Sequence, residues 1–205
     1  MTTSSLAKDD IIQRQILLAA RRLFQVHGLQ KVTMDDVAKA IGKGRSSLYY
    51  YYKSKDEIFE AVIALDIREM LAAITKAVEK ASTTEQKIKS FCESKLLAVR
   101  EKRSFYIALD AGMDANTLSN FNKAKIAHHN LIMQKEGALL IKILKYGVTN
   151  GELLEIDKNN INTLIFVLLS SLHGLKREML MDNSFDKIEP AVNTLTNLIM
   201  NGLKE

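Results

Sequence analysis

The chain has 205 residues, of which 47% are hydrophobic and 26% are charged, a composition typical of a globular protein rather than a disordered or fibrous one. One proline and nine glycines leave few helix breakers, so we expect an all-α fold. The longest apolar run, residues 164–169, is far too short for a membrane-spanning helix, and the single cysteine excludes an internal disulfide. With no secretory signal at the start, we expect a cytoplasmic protein.

Positive charge is concentrated at the beginning of the chain. Residues 1–55 contain ten Lys and Arg against four Asp and Glu, a net charge of +6, whereas the remaining residues have a net charge of −1. This asymmetry predicts a basic head that binds a polyanion and a near-neutral body with a different task.

Two helices are predicted in the first part of this basic segment. Apolar residues recur every three or four positions over residues 11–24 and predict a helix that ends at Gly28. Thr33 and Asp36 have the spacing of a capping box, which opens a short second helix that ends at Gly42.

A third short helix follows a glycine-containing turn and carries the segment RSSLYYYY. Leu48 and Tyr52 lie four residues apart on one face, so we expect both in the core and the polar and aromatic groups outside. Two short helices joined by such a turn match a helix-turn-helix, whose second helix can lie in the major groove of DNA. An arginine there can bind guanine or phosphate, and tyrosines offer hydroxyls and flat faces.

The rest of the chain is predicted to be helical, for a total of about nine helices. Ser54 and Glu57 form another capping box, from which a long helix runs to about Lys80. The further predicted helices span about 84–100, 102–112, 115–128, 130–148, 158–182 and 188–203.

The segment ILLAARRLFQVHGLQKVTMDDVAKAIGKGRSSLYYYYKSKDEIFEAV, residues 16–62, resembles the DNA-binding domain of the TetR-type transcriptional repressors. The shared features are the AA..LF...G opening, the threonine that begins helix 2, the A.A.G stop and the LY.Y-aromatic-K-S-K-acid segment. This resemblance implies a three-helix DNA-binding domain, residues 1–53, and a larger helical domain, residues 54–205, that binds a small ligand and dimerises.

The resemblance also implies which residues contact a double-stranded DNA operator. By their position in the motif, these are Thr33, Lys43, Gly44, Arg45, Ser46, Ser47, Tyr49, Tyr50, Tyr51 and Lys55. Where many relatives have an apolar residue and then Ser or Thr in the turn, this chain has Lys43 and Gly44. Glycine is an acceptable N-cap, so we expect the third helix to form.

Methionines and aromatic side chains of the body are candidates for an apolar effector cavity, because thioethers and rings fill irregular space. Each of them is individually more typical of an ordinary core residue. His173 has three interpretations: a core histidine, a pocket residue or an interface residue. The candidate pocket residues are Phe91, Phe105, Tyr106, Met113, Met133, Phe166 and His173.

The last two helices are candidates for a homodimer interface, because each has an apolar face that a two-fold copy can bury. Such a dimer presents two recognition helices to two half-sites, which predicts a palindromic operator. The candidate interface residues are Leu168, Leu172, Leu175, Val192, Leu195 and Ile199.

These features together favour a ligand-responsive regulator, released from DNA by a small apolar or amphipathic effector. A non-specific architectural DNA-binding protein or a helical adaptor is the alternative. No catalytic or metal-binding motif is present, so we expect no enzyme activity, no cofactor, no metal and no membrane partner.

Overall fold

A computed structural model describes residues 3–110 and 115–204, with side chains placed for all of these except residues 3–7, 102, 104–110, 115–125, 158 and 159. The described residues form helices and no strand. None of these helices is long and apolar enough to cross a membrane. The helices are α1 (Thr3–His27), α2 (Met34–Ala40), α3 (Arg45–Tyr51), α4 (Lys55–Lys80), α5 (Thr84–Asp110), α6 (Ala115–Thr149), α7 (Lys158–Asp182) and α8 (Ile188–Leu203), with a 3₁₀ turn (Phe185–Lys187) before α8.

The all-α prediction is confirmed, and the helix boundaries differ in the body. The breaks predicted near residues 101 and 129 are wrong, because α5 and α6 each continue through them. Neither position carries a glycine or a proline. A cluster of charged or polar residues lowers the hydrophobic periodicity without removing any backbone hydrogen bond, so the helix continues.

The chain divides into two compact units. The first comprises Met1–Arg68 and Ser104–His128, and the second comprises Glu69–Arg103 and His129–Glu205. The first unit therefore contains the helix-turn-helix and also the first half of α4, beyond the boundary after residue 53 that the sequence suggests. That functional boundary stays a prediction.

The core of the first unit joins α1 to the helices that follow it. Phe24 is fully buried, and its ring lies edge-on against that of Phe59, with centroids 5.9 Å apart. The guanidinium of Arg21 donates to the buried Asp66 carboxylate at 3.0 Å. These contacts fix α1 to α4. Helix α2 packs against α1, and α3 packs against α2.

The core of the second unit is an apolar cluster that contains side chains of α5, α6, α7 and α8. Cys92 belongs to this cluster and is fully buried. Burial raises the pKa of the Cys92 thiol to about 12. A thiol with so high a pKa is unreactive at neutral pH, so Cys92 acts as a small buried hydrophobe.

The predicted set of dimer-interface residues needs correction. Leu168, Leu172, Val192 and Ile199 are buried within their own chain and belong to its core cluster, and Leu175 and Leu195 pack against that cluster. These four buried side chains offer no surface to a second copy, whereas Leu175 and Leu195 are half-buried and stay candidates for the interface. Helical periodicity identified the apolar faces of α7 and α8 correctly but could not show what covers them.

Gly147 marks a close approach between α6 and its neighbours. A Cβ atom at this position would lie 2.7 Å from the Thr84 hydroxyl and from a methyl carbon of Leu153. We expect Gly147→Ala to lower the free energy of unfolding by about 1–3 kcal/mol, because these neighbours must move. Chemical denaturation measures the change, with the exposed Lys145→Ala on the same helix as a control that changes it by less than about 0.5 kcal/mol. Unchanged stability in Gly147→Ala would contradict this packing.

Candidate nucleic-acid interface

Helix α2 begins with the predicted capping box. The Asp36 N–H donates to the Thr33 hydroxyl at 3.2 Å, and the Thr33 N–H donates to the Asp36 carboxylate at 2.9 Å. The hydrogen bonds that the Thr33 hydroxyl and the Thr33 N–H donate to the Asp36 carboxylate hold the pKa of Asp36 below its ordinary value. The turn after α2 passes through Gly42 at φ +65°, a conformation that glycine adopts without strain.

The orientation of α3 follows from its single buried side chain. Gly44 is the N-cap and supplies no side-chain hydrogen bond, as its lack of a side chain requires. Leu48 is fully buried, and it anchors the middle of the helix to the core. Tyr50 consequently points away from the core, with 75% of its surface exposed.

Arg45 is exposed at the start of α3 and is held by two neighbours. Its Nη2 donates to the Tyr49 hydroxyl at 3.2 Å, and its guanidinium carbon lies 5.4 Å from the centre of the Tyr49 ring. Its Nε lies 3.3 Å from the Asp35 carboxylate of α2. The hydrogen bond to Tyr49 and the charge of Asp35 raise the pKa of Arg45 above its ordinary value. The guanidinium is therefore charged and already directed before any ligand arrives.

The three consecutive tyrosines of α3 have different surroundings. The Tyr49 and Tyr50 side chains are exposed, whereas Tyr51 is half-buried and its hydroxyl donates to Asp9 of α1 at 2.8 Å. This hydrogen bond raises the pKa of the Tyr51 hydroxyl. Tyr52 is buried, as predicted, so its role is in the core.

Two further predicted DNA contacts are engaged within the chain. The Lys55 ammonium donates to the Leu29 and Gln30 carbonyl oxygens at 2.9 and 3.2 Å, and so holds the turn that follows α1. The Thr33 hydroxyl donates to the Asp36 carboxylate at 2.7 Å. These side chains, like Tyr51, organise the domain, and any contact of theirs with DNA stays a prediction.

The remaining predicted contacts lie on one short stretch of chain. Lys43, Gly44, Arg45 and Ser46 are exposed, and Ser47 is half-buried. We use the name recognition face for the exposed side chains of Lys43, Arg45, Ser46, Tyr49 and Tyr50. This face combines two cations, hydroxyl groups and two exposed aromatic rings, which is the chemistry that binds phosphates and base edges.

Comparisons with known proteins agree with this geometry. Residues 16–62 match the family model described as bacterial regulatory proteins of the tetR family. An uncharacterised HTH-type transcriptional regulator of Bacillus subtilis, YvaF, is 29% identical over 140 residues, 65% of this chain and 66% of the relative. An HTH-type transcriptional repressor of Mycobacterium tuberculosis, Rv1474c, is 34% identical over 64 residues, 31% of this chain and 34% of the relative. The chain thus spans about two-thirds and one-third of the lengths of these relatives.

The structural comparison extends the likeness beyond the DNA-binding domain. The fatty acid degradation regulator FadR of Bacillus halodurans has a TM-score of 0.63 and 18% identity, with 93% of this chain and 99% of that chain covered. The chain has a helix-turn-helix with an exposed recognition face, followed by an all-α body. These are the features of a DNA-binding transcriptional regulator. Residues 16–62 form a DNA-binding domain of the TetR type.

The predicted effector residues are only partly brought together. Phe91 is fully buried in α5, and Met133 and His173 are half-buried in α6 and α7. Phe166 is 63% exposed on α7, so it lines no interior of this unit. Phe105, Tyr106 and Met113 lie outside the residues whose side chains the structure describes.

Sequence reasoning missed a buried ion pair in this region. Lys95 of α5 and Glu136 of α6 form a salt bridge, and both are almost completely buried. The signal was available, because each charged residue lies four positions from a core residue on its own helix, Phe91 and Leu140 respectively. Opposite charges within two apolar stripes indicate that the stripes pack together.

The different surroundings of Tyr50 and Tyr51 lead to opposite expectations for adjacent residues. We expect Tyr50→Ala to weaken operator binding about tenfold without changing stability, because it removes only exposed surface of the recognition face. We expect Tyr51→Phe to leave binding within about twofold and to lower the free energy of unfolding by about 0.5–1.5 kcal/mol through loss of the Asp9 hydrogen bond. Fluorescence anisotropy and urea denaturation measure the two effects, and the reverse pattern would contradict the assignment.

Proposed function

We propose that the protein is a ligand-responsive transcriptional repressor that binds a palindromic operator as a homodimer. The observation that carries this proposal is the recognition face, which α3, anchored by Leu48, presents to solvent within a TetR-type domain. A repressor of this kind acts by blocking polymerase, and it works where the chromosome is, in the cytoplasm.

Exposed apolar side chains on the last two helices support the homodimer. Phe166 and Val167 of α7 are 63% and 54% exposed, and Leu198 of α8 is 67% exposed. Ser170 and Gly174, one and two turns after Phe166, are small and exposed, which favours close approach of a second helix. This face replaces the buried residues that the sequence suggested, and a two-fold copy buries it in a four-helix contact.

Effector control requires that a ligand bind better to a conformation that fits the operator poorly. The core of the second unit is apolar and contains one buried ion pair, which supports an effector with an apolar body and one polar group. The fatty acid regulator named above shares the fold, and at 18% identity the likeness supports no particular ligand.

Selection from a random DNA library tests the operator. We expect an enriched palindrome with half-sites roughly 34–36 Å apart, and loss of this enrichment in Arg45→Ala. The exposed Arg14→Ala, elsewhere on the basic head, is the matched control and keeps the enrichment. A flat pool with steep salt dependence would favour the architectural DNA-binding alternative instead.

Analytical ultracentrifugation tests the dimer. We expect Phe166→Glu and Leu198→Glu to produce monomers that bind operator weakly, because a charge placed in an apolar contact loses its hydration. Val26→Glu, at an equally exposed apolar position on α1, is the control and leaves the dimer intact. Unchanged sedimentation of both interface variants would place the interface elsewhere.

A further inference from the structure

The second unit contains a group of polar side chains within its apolar core. Lys95 is 3% exposed and Glu136 is 0% exposed, and the two form the ion pair that links α5 to α6. Along their helices, Phe91 and Leu140 lie one turn away and are fully buried. The pair is therefore enclosed by apolar groups.

The pair leaves one acceptor unsatisfied. Glu136 Oε1 is buried and has no hydrogen-bond partner in the part of the chain that the structure describes. Burial raises the pKa of Glu136, and the Lys95 charge acts against this shift. An apolar pair of similar volume would often be at least as stable, so folding alone does not account for these residues. A buried acceptor without a donor is a position that a ligand group can fill.

The ion pair is connected to the surface through two histidines. His129 lies two turns before Glu136 on the same face of α6 and is exposed. Its ring contacts that of His173 on α7, with centroids 5.1 Å apart, and His173 is half-buried. Met133, also half-buried, lies between His129 and Glu136 on this face. Exposure therefore increases from Glu136 through Met133 to His129, so His129 is the member of this cluster that lies nearest to solvent.

The hydrogen-bonding groups of this cluster determine which head group fits. His173 Nδ1 lies 2.9 Å from the Leu169 carbonyl oxygen, so a neutral ring carries its proton there and Nε2 remains an acceptor. Burial and the charges of Lys95 and Lys176 lower the pKa of His173 to about 4, which keeps the ring neutral at pH 7. The cluster thus offers two acceptors, Glu136 Oε1 and His173 Nε2, together with the remaining N–H groups of Lys95.

Charged head groups fit this set poorly. A carboxylate has no proton to donate, so it leaves Glu136 Oε1 unsatisfied and brings a second anion beside it. An ammonium group meets the charges of Lys95 and Lys176. A hydroxyl or a primary amide both donates and accepts, and it can satisfy Glu136 and Lys95 together.

We propose that Lys95 and Glu136 are the polar anchor of the effector site and select an uncharged ligand with a hydroxyl or primary-amide head on an apolar body. This inference rests on the proposed ligand-responsive function. The ion pair then determines which head group binds, and the two histidines, His129 and His173, form the entrance to the effector site.

Four probes with the same apolar tail test the head-group preference on the wild-type dimer: octan-1-ol, octanamide, octanoate and octylamine. We expect titration calorimetry to give dissociation constants about tenfold lower for the alcohol and the amide than for the two ions, because the carboxylate leaves Glu136 Oε1 unpaired and the ammonium group meets the charges of Lys95 and Lys176. Thermal shifts measured at equal probe concentration follow the same order. Binding of octanoate or octylamine as tight as that of octan-1-ol would overturn the proposal, and so would the absence of binding by all four probes.

Two variants assign the preference to the ion pair. In Lys95→Met/Glu136→Leu, we expect the alcohol and the amide to lose their advantage of about tenfold over the ions, whereas the exposed Lys135→Met, next to Glu136 on α6, keeps it. A preference that persists in the double variant would overturn the proposal. The wild-type probe series stands by itself if that variant fails to fold. Operator selection by the wild-type protein without any probe tests the regulator function separately.

Discussion

The burial of Leu48 is the constraint on which the DNA-binding surface depends. Helix α3 has only seven residues, and an isolated helix of this length does not form in water. Burial of one leucine contributes about 1.5–3 kcal/mol and also fixes the rotation of the helix about its axis. Because successive side chains around a helix are separated by about 100°, this one contact places Tyr50, two residues further on, on the side of α3 that faces away from the core.

The DNA-binding domain could be predicted almost completely from the sequence, because its signals are local. The Thr33 capping box, the glycine turn and the Leu48–Tyr52 face each depend on residues within four positions of one another. The roles of Tyr51 and Lys55 depend on Asp9 and on the carbonyls after α1, which are distant in sequence. A family motif names such positions without distinguishing a residue that contacts DNA from one that holds the domain together.

The body was less predictable, because its specificity lies in contacts between helices. Periodicity identified apolar faces on α7 and α8, but both the core of one chain and the contact between two chains need such a face. The structure places Leu172 and Val192 in the core of their own chain. The Lys95–Glu136 pair was missed for a related reason: a charged residue within a helix is ordinarily exposed, and this expectation outweighed the position of both residues within apolar stripes.

The ion pair between Arg45 and Asp35 joins α3 to α2. Because Asp35 belongs to α2, the direction of the Arg45 side chain depends on a residue outside its own helix. A graft of α3 alone onto a different scaffold would leave Arg45 without this partner. Redesign of the recognition face therefore has to treat positions 35 and 45 together.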